Sequence, residues 1–342
     1  MATGTMNQIP EHIVVSCDGG SIAVESRRPD ITPILCGRKA GAALARIPTL
    51  LPICGTAQAA AATLAVQSAG GRTPESTHYL NAALVREQCL SAAFRLTIDY
   101  PALLNEAPLL AELRRVRQAD GPGEMATALR ALLPGFDSVV DGGITATSYA
   151  TLNPGLPARV LLRAMEHDRQ HPVTGRAPVP VSGDGLWALM IRGIHPKTAD
   201  QPIMVGPYAT RRHPRTTEVL SQVDGLLAQL VLAHLMDTWF IASLLEADAD
   251  SPVSLVEGRA TDDGVGVGMA QTSRGPVYHR VTVGDDETVT SWQITAPTDW
   301  HFSPNGPVSN LRTGTGAGDE WLKCLVLGFD PCAPWRVAGE EA

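Results

Sequence analysis

The 342-residue sequence predicts an α+β fold that is mainly helical. Apolar residues make up 44% of the chain and charged residues 18%, the balance of a packed globular protein. Runs with apolar positions at three- and four-residue spacing fill much of 56–250, which predicts a central helical bundle. Strand patterns lie near the two ends, as a small β element at 12–25 and a hairpin followed by a helix at 264–335. No internal repeat or low-complexity linker divides the chain, so 1–342 reads as a single domain.

Asp18-Gly19-Gly20 is a turn signal, so 12–25 reads as a short strand or hairpin. Residues 56–68 are alanine-rich without Pro or Gly, and Gly70-Gly71 stops that helix. A second helix is expected from 77 to 98, closed by Pro101, and a third from 102 to 118, closed by Gly121-Pro122-Gly123. Met125, Leu129, Leu132 and Leu133 space a further short helix. Residues 134–155 are rich in Gly, Ser, Thr and Pro and read as loop. Helix resumes over 159–169, and 171–213 reads as irregular. One long central helix is expected over 216–246. Val277, His279, Val281 and Val283 alternate with Tyr278, Arg280 and Thr282, and 288–295 supplies the partner strand. The last helix spans 319–328 and ends before Asp330-Pro331.

Composition excludes several functions. Net charge is −8 and no dense Lys/Arg run occurs, which argues against nucleic-acid binding. The most apolar stretch, 226–245, contains Gln229, His234 and Asp237, so it reads as a buried helix and no membrane partner is expected. No basic segment followed by an apolar core opens the chain, so no signal peptide is expected and a cytoplasmic location is. The six cysteines, Cys17, Cys36, Cys54, Cys89, Cys324 and Cys332, then read as free thiols or metal ligands. Gly264-Val265-Gly266-Val267-Gly268 lacks the third glycine of a dinucleotide loop, and Gly314-Thr315-Gly316-Ala317-Gly318 fails in the same way; both read as flexible turns. The nine histidines show no ligand spacing.

Four motifs carry the functional signal. They are Pro52-Ile53-Cys54-Gly55-Thr56-Ala57, Thr272-Ser273-Arg274-Gly275-Pro276, Ala296-Pro297-Thr298-Asp299-Trp300, and Asp330-Pro331-Cys332-Ala333-Pro334-Trp335. In order and placement they resemble the nickel–iron hydrogenase large subunit, with its C-G-x-C, arginine–glycine, A-P-T-x-W-like and D-P-C-x-x-C segments. The resemblance extends over 36–101 and 264–335 and implies a shortened large-subunit-like fold. Each cysteine motif has lost its second cysteine: Ala57 and Trp335 stand in those places. Ala338 replaces the C-terminal histidine, and Thr32 falls about where the family carries a glutamate.

That pattern is similar to the HupK/HoxV-type hydrogenase expression/formation proteins. The resemblance implies a maturation protein and not an enzyme, in which Cys54 and Cys332 are metal ligands for an Fe(CN)2(CO) fragment, bound transiently and without nickel. By position they match the family's terminal nickel pair, which implies a displaced iron. Two thiolates suit a soft, low-spin iron, and Cys54 at a helix start is expected to favour thiolate. Arg274 matches the arginine that overhangs the family's pocket. Glu87, or Asp99, is expected to approach that pocket; Cys36 is close enough in sequence to Cys54 for a spare ligand, with ordinary burial as its default reading. Cys89 and Cys324 read as core. Implied partners are a small hydrogenase maturation chaperone complex and the hydrogenase large subunit. Two other readings stay open: a metal-free decoy of the large subunit that binds maturation factors, and a divergent redox enzyme.

Overall fold

A computed structural model describes residues 13–71, 78–247, 254–261, 264–314 and 316–339. The parts of the expected elements at 12, 77, 248–250 and 315 lie outside the described residues. Strands β1 (Ile13–Asp18) and β2 (Ser21–Ser26) form the expected hairpin. Gly20 turns it at φ +82°, and a Cβ there would lie 2.2 Å from the Thr313 carbonyl oxygen.

Helix α1 (Gly55–Ala69) starts directly after Cys54 and is closed by Gly70. Helix α2 (His78–Phe94) continues through a π-helical turn, Arg95–Asp99, into Tyr100–Leu103. Pro101 therefore does not end the helix, because it lies in the first turn of the new segment, where a proline gives up no needed N–H. The break comes at Asn105, which is left-handed at φ +56°, and helix α3 spans only Leu110–Arg117. Helix α4 is Pro122–Arg130.

Residues 134–155 are not a plain loop: they hold helices Asp137–Val140 and Ala146–Leu152 and bury Phe136, Val139 and Tyr149. Thr145 caps the second of these by accepting the Ser148 N–H, so polar content here starts a helix. Helix α5 (Leu156–Gln170) follows, and within the irregular stretch after it Asp184–Ile191 is helical and buries Trp187. The expected long helix is two: Thr216–Leu220 and α6 (Leu226–Glu246). Gly225 separates them at φ +90°, and the Asp168 carboxylate fills the space beside it while accepting the Leu227 and Ala228 N–H groups. Helix α6 is long and apolar enough to cross a membrane, but 72% of its most apolar window is buried in the protein. Its Asp237 pairs with Arg212 at 2.7 Å, so α6 is a core helix with its charge satisfied.

The expected C-terminal hairpin is half of a four-stranded antiparallel sheet of β3 (Val256–Ala260), β4 (Val265–Thr272), β5 (Gly275–Val283) and β6 (Val289–Thr295), in that order. The glycine run beginning at Gly264 is thus mostly strand and not a flexible turn. Gly266 and Gly268 face α1, where a Cβ would lie 1.9 Å from the Ala65 carbonyl oxygen and 2.0 Å from that of Ala61. Their glycines let the helix backbone lie on the sheet. Helix α7 (Asp319–Phe329) ends at Asp330, left-handed at φ +47°, and β7 (Trp335–Val337) pairs in parallel with β1. The last strand is thereby tied to the first, which fixes the intervening Cys332.

Candidate functional site

Four parts of the fold converge on one cavity of about 950 Å3. The turn after α7 contributes Asp330, Cys332 and Trp335; the β4–β5 turn contributes Arg274; and α2 contributes Glu87, with Asp99 from the π-helical turn. Cys54 lies buried at the start of α1, between the lining residues Ile53 and Thr56. The Arg274 Nη1 donates to its Sγ at 3.8 Å. Thr298 Oγ1 donates to Cys332 Sγ at 3.1 Å and accepts the Cys332 N–H at 2.9 Å. The residues singled out from sequence, Cys54, Cys332, Arg274 and Glu87, therefore meet at one place, and Asp99 joins them.

Electrostatics give each group a definite part. Burial pushes the Cys54 thiol up to about 12; Arg274 opposes this, while Cys332, Glu87 and Asp330 reinforce it. This corrects the expectation of a helix-stabilised thiolate. The Thr56 and Ala57 N–H groups that would favour a thiolate are taken by Glu87, at 2.8 and 3.1 Å. For Arg274, burial works against the charge, but Asp330, Cys54 and Cys332 together raise its pKa. Arg28 behaves in the same way: burial opposes, and Asp299, Cys332 and Cys54 raise it. Both cysteine sulfurs thus lie within the field of two guanidinium groups.

Sequence reasoning missed the supports of this site. Asp330 is buried between Arg274, at 3.2 Å, and Arg95. Burial alone would raise its carboxyl, but Arg274 and Arg95 hold it at about 2. Arg28 pairs with Asp299 at 2.5 Å, and Asp299 also accepts the Ala296 N–H. The signals were present in the motifs: Asp330 precedes Pro331-Cys332, Thr298 and Asp299 follow Ala296-Pro297, and Arg28 opens the segment read only for its missing glutamate. Thr32, at that position, bonds Asp30 at 2.7 Å and does not line the cavity. Cys36 packs into a separate cluster around Leu35 and Trp292, so it is not brought to Cys54. Cys89 and Cys324 are core, as expected. His234, His279 and His301 are buried and hydrogen-bonded within the protein.

No protein-family model matches the chain. The hydrogenase expression/formation protein HupK of Azotobacter vinelandii is 31% identical, over 95% of this chain and 97% of its own length. HupV of Azotobacter chroococcum is 30% identical over 94% and 95%, and HoxV of Cupriavidus necator is 24% identical over 93% of each. Among solved structures, an NAD+-reducing [NiFe]-hydrogenase chain superposes at TM-score 0.55 with 17% identity, covering 92% of this chain and 93% of that one. The [NiFeSe] hydrogenase of Desulfovibrio vulgaris Hildenborough gives 0.56 with 13% identity, over 91% and 92%. These neighbours share the fold of the nickel–iron hydrogenase large subunit. With that fold, and with relatives matched along nearly its whole length, the chain belongs to the HupK/HoxV family of hydrogenase expression/formation proteins.

Proposed function

We propose that this protein is a non-catalytic scaffold in nickel–iron hydrogenase maturation, which holds an Fe(CN)2(CO) fragment through Cys54 and Cys332 before transfer to the hydrogenase large subunit. The observation that carries this reading is the convergence of two cysteines from opposite ends of the chain on one cavity: Cys54, bonded by Arg274, and Cys332, which lines that cavity with Arg274. Soft sulfur donors suit low-spin iron. Two donors close off fewer coordination positions than a four-ligand structural site, which suits a cargo that must leave. Arg274 works against the burial of the Cys54 thiol and so eases its ionisation when a metal binds. Burial keeps the Cys54 thiol protonated, so taking up the fragment releases that proton.

In this reading a small maturation chaperone complex supplies the fragment, no nickel is held, and the work is done in the cytoplasm. Ala57 and Trp335 stand where a catalytic centre needs thiolates, which argues against hydrogen turnover. One observation favours a metal-free decoy: burial pushes the Cys54 thiol up to about 12, which disfavours the thiolate that a metal needs. Anaerobic infrared spectroscopy separates the two. Protein purified from cells with the maturation machinery is expected to show CO and CN stretching bands that vanish in Cys54→Ala and in Cys332→Ala. Spectra without bands, from protein that still binds maturation factors, leave the decoy.

A further inference from the structure

We propose that the surface formed by α2 and α3, beside the cysteine cavity, is a docking face for an acidic protein with an apolar anchor. Helix α2 turns Arg86, Glu87, Leu90 and Phe94 toward the cavity. Helix α3 is fixed alongside: Val116 is fully buried, the Leu109 N–H donates to the Thr97 carbonyl at 2.8 Å, and Arg86 donates to the Arg117 carbonyl at 3.5 Å. On the outer side of α3, Leu110, Arg114 and Arg117 follow at i, i+4 and i+7, so they form one stripe. Leu110 is 56% exposed, and Phe94, at the cavity rim, is 47% exposed.

Among the described residues, the arginines on this face are unmatched. Arg86, Arg114, Arg115 and Arg117 have no ion-pair partner among the described residues; Arg46, Arg169, Arg176 and Arg192 elsewhere also lack one, but here four such arginines lie together on two packed helices. Arg130, Arg159, Arg163, Arg215 and Arg259, by contrast, are each paired with a carboxylate. Glu112, half-buried on α3 itself, and Asp120, beyond its end, form no ion pair with them. The chain as a whole carries −8, so this face is positive on an acidic molecule. Such local reversal selects a partner by complementary charge and speeds its encounter. Exposed apolar side chains set among arginines have the composition of a protein–protein contact centre. Nucleic acid is the weaker candidate, because the stripe begins on the apolar Leu110 and no basic run extends it beyond Arg117. A protein seated here lies over the mouth of the cysteine cavity. The inference needs only this surface, and it holds for a scaffold and for a decoy alike.

The test uses the full chain in cells that contain the maturation machinery. A photo-crosslinking amino acid replaces Leu110, and in a control replaces Leu152, which is 82% exposed on another surface. Adducts are identified by mass spectrometry. The expected result is an adduct at Leu110 with a protein of acidic isoelectric point and none at Leu152. Arg114→Glu with Arg117→Glu is expected to reduce that adduct at least about tenfold, because opposed charges steer the encounter. Lysine at both positions is expected to retain it, which separates charge from folding. Adduct formation is also expected to fall at about 0.5 M salt, where exposed charges are screened. An adduct indifferent to charge reversal, a basic partner, crosslinked nucleic acid, or no adduct at Leu110 overturns the proposal. Infrared bands in the unsubstituted protein report on the iron reading separately.

Discussion

Helix α1 meets two contrasting surroundings. Along its length it lies on β4, where Ala61 and Ala65 meet Gly268 and Gly266 backbone to backbone. At its N-terminus it opens onto the cysteine cavity. There Asp330 sits between two guanidinium groups, and nearby Arg95 Nε, Tyr100 Oη and His234 Nδ1 are buried without a hydrogen-bond partner among the described residues. The first region is fixed by shape and the second by charge. Close packing leaves no room to add an atom; buried polar groups leave no tolerance for losing one. A rigid helix–sheet block thus presents Cys54 to a cavity whose polar wall is incompletely satisfied.

The charge-fixed region is expected to give the largest single effect. Asp330→Asn keeps the side-chain shape and tolerates the left-handed backbone, but it leaves Arg95 and Arg274 buried without their shared anion. A loss of about 3–5 kcal/mol is expected, measured by urea unfolding at pH 7. The pH dependence has a definite sign. The folded-state pKa of Asp330 is lowered from 3.8 to about 2, so its stabilisation is complete above the ordinary carboxylate value and is lost as pH falls through about 2. If the variant unfolds at the same urea concentration as the parent, the ion network does not hold this wall together.

Gly268→Ala probes the shape-fixed region. The added Cβ would lie 2.0 Å from the Ala61 carbonyl oxygen and 2.5 Å from the Ala65 nitrogen, so α1 must lift from the sheet. Overpacking of this kind costs about 2–3 kcal/mol. Because α1 carries Cys54, the same variant is expected to weaken the infrared bands of the loaded protein. Unchanged stability would mean that the helix slides without cost, and the contrast between the two regions would dissolve.

How much was legible follows the same division. Periodicity and turn residues located α1, α2, α5, α7 and the β5–β6 hairpin, because local rules decide those elements. The split at Gly225 was not legible, since it depends on Asp168 from a distant helix occupying the space beside it. Nor was the strand at Gly266 and Gly268, where the absence of side chains serves a tertiary contact. At the site, the cysteines and Arg274 were readable from their motifs. Asp330, Thr298 and Arg28 stand in or beside the same motifs, but their roles as supports, and Arg95 altogether, were not, because nothing local tells a buried ion pair or hydrogen bond from an exposed one. The thiol state of Cys54 was misjudged because Glu87, a helix away, takes the N–H groups on which a thiolate would depend.

Glu87 joins the two regions, so removing it is expected to give an intermediate effect. Glu87→Ala frees the Thr56 and Ala57 N–H groups and should cost about 1–2 kcal/mol as a lost helix cap. Glu87→Gln retains an acceptor and should cost less. Thermal unfolding of the two variants checks the order; equal losses would assign the effect to charge and not to capping.

Asp99 gives the smallest expected change, and one of opposite sign. It lies in the π-helical turn at the cavity wall. Burial raises its carboxyl to about 6, and Asp330 adds to this, while Arg95 and Arg274 oppose it. A carboxyl whose folded-state pKa is raised favours its protonated form, so the native state is penalised as pH rises from 3.8 toward about 6 and stays penalised above that. Asp99→Asn removes the ionisation. The variant is therefore expected to be more stable than the parent by about 1–2 kcal/mol at pH 8 and to match it near pH 3.5. Unfolding curves at the two pH values provide the check. A variant destabilised at pH 8 would show that ionised Asp99 is held by the arginines, and that the charge balance of the wall is tighter than its unpartnered atoms imply.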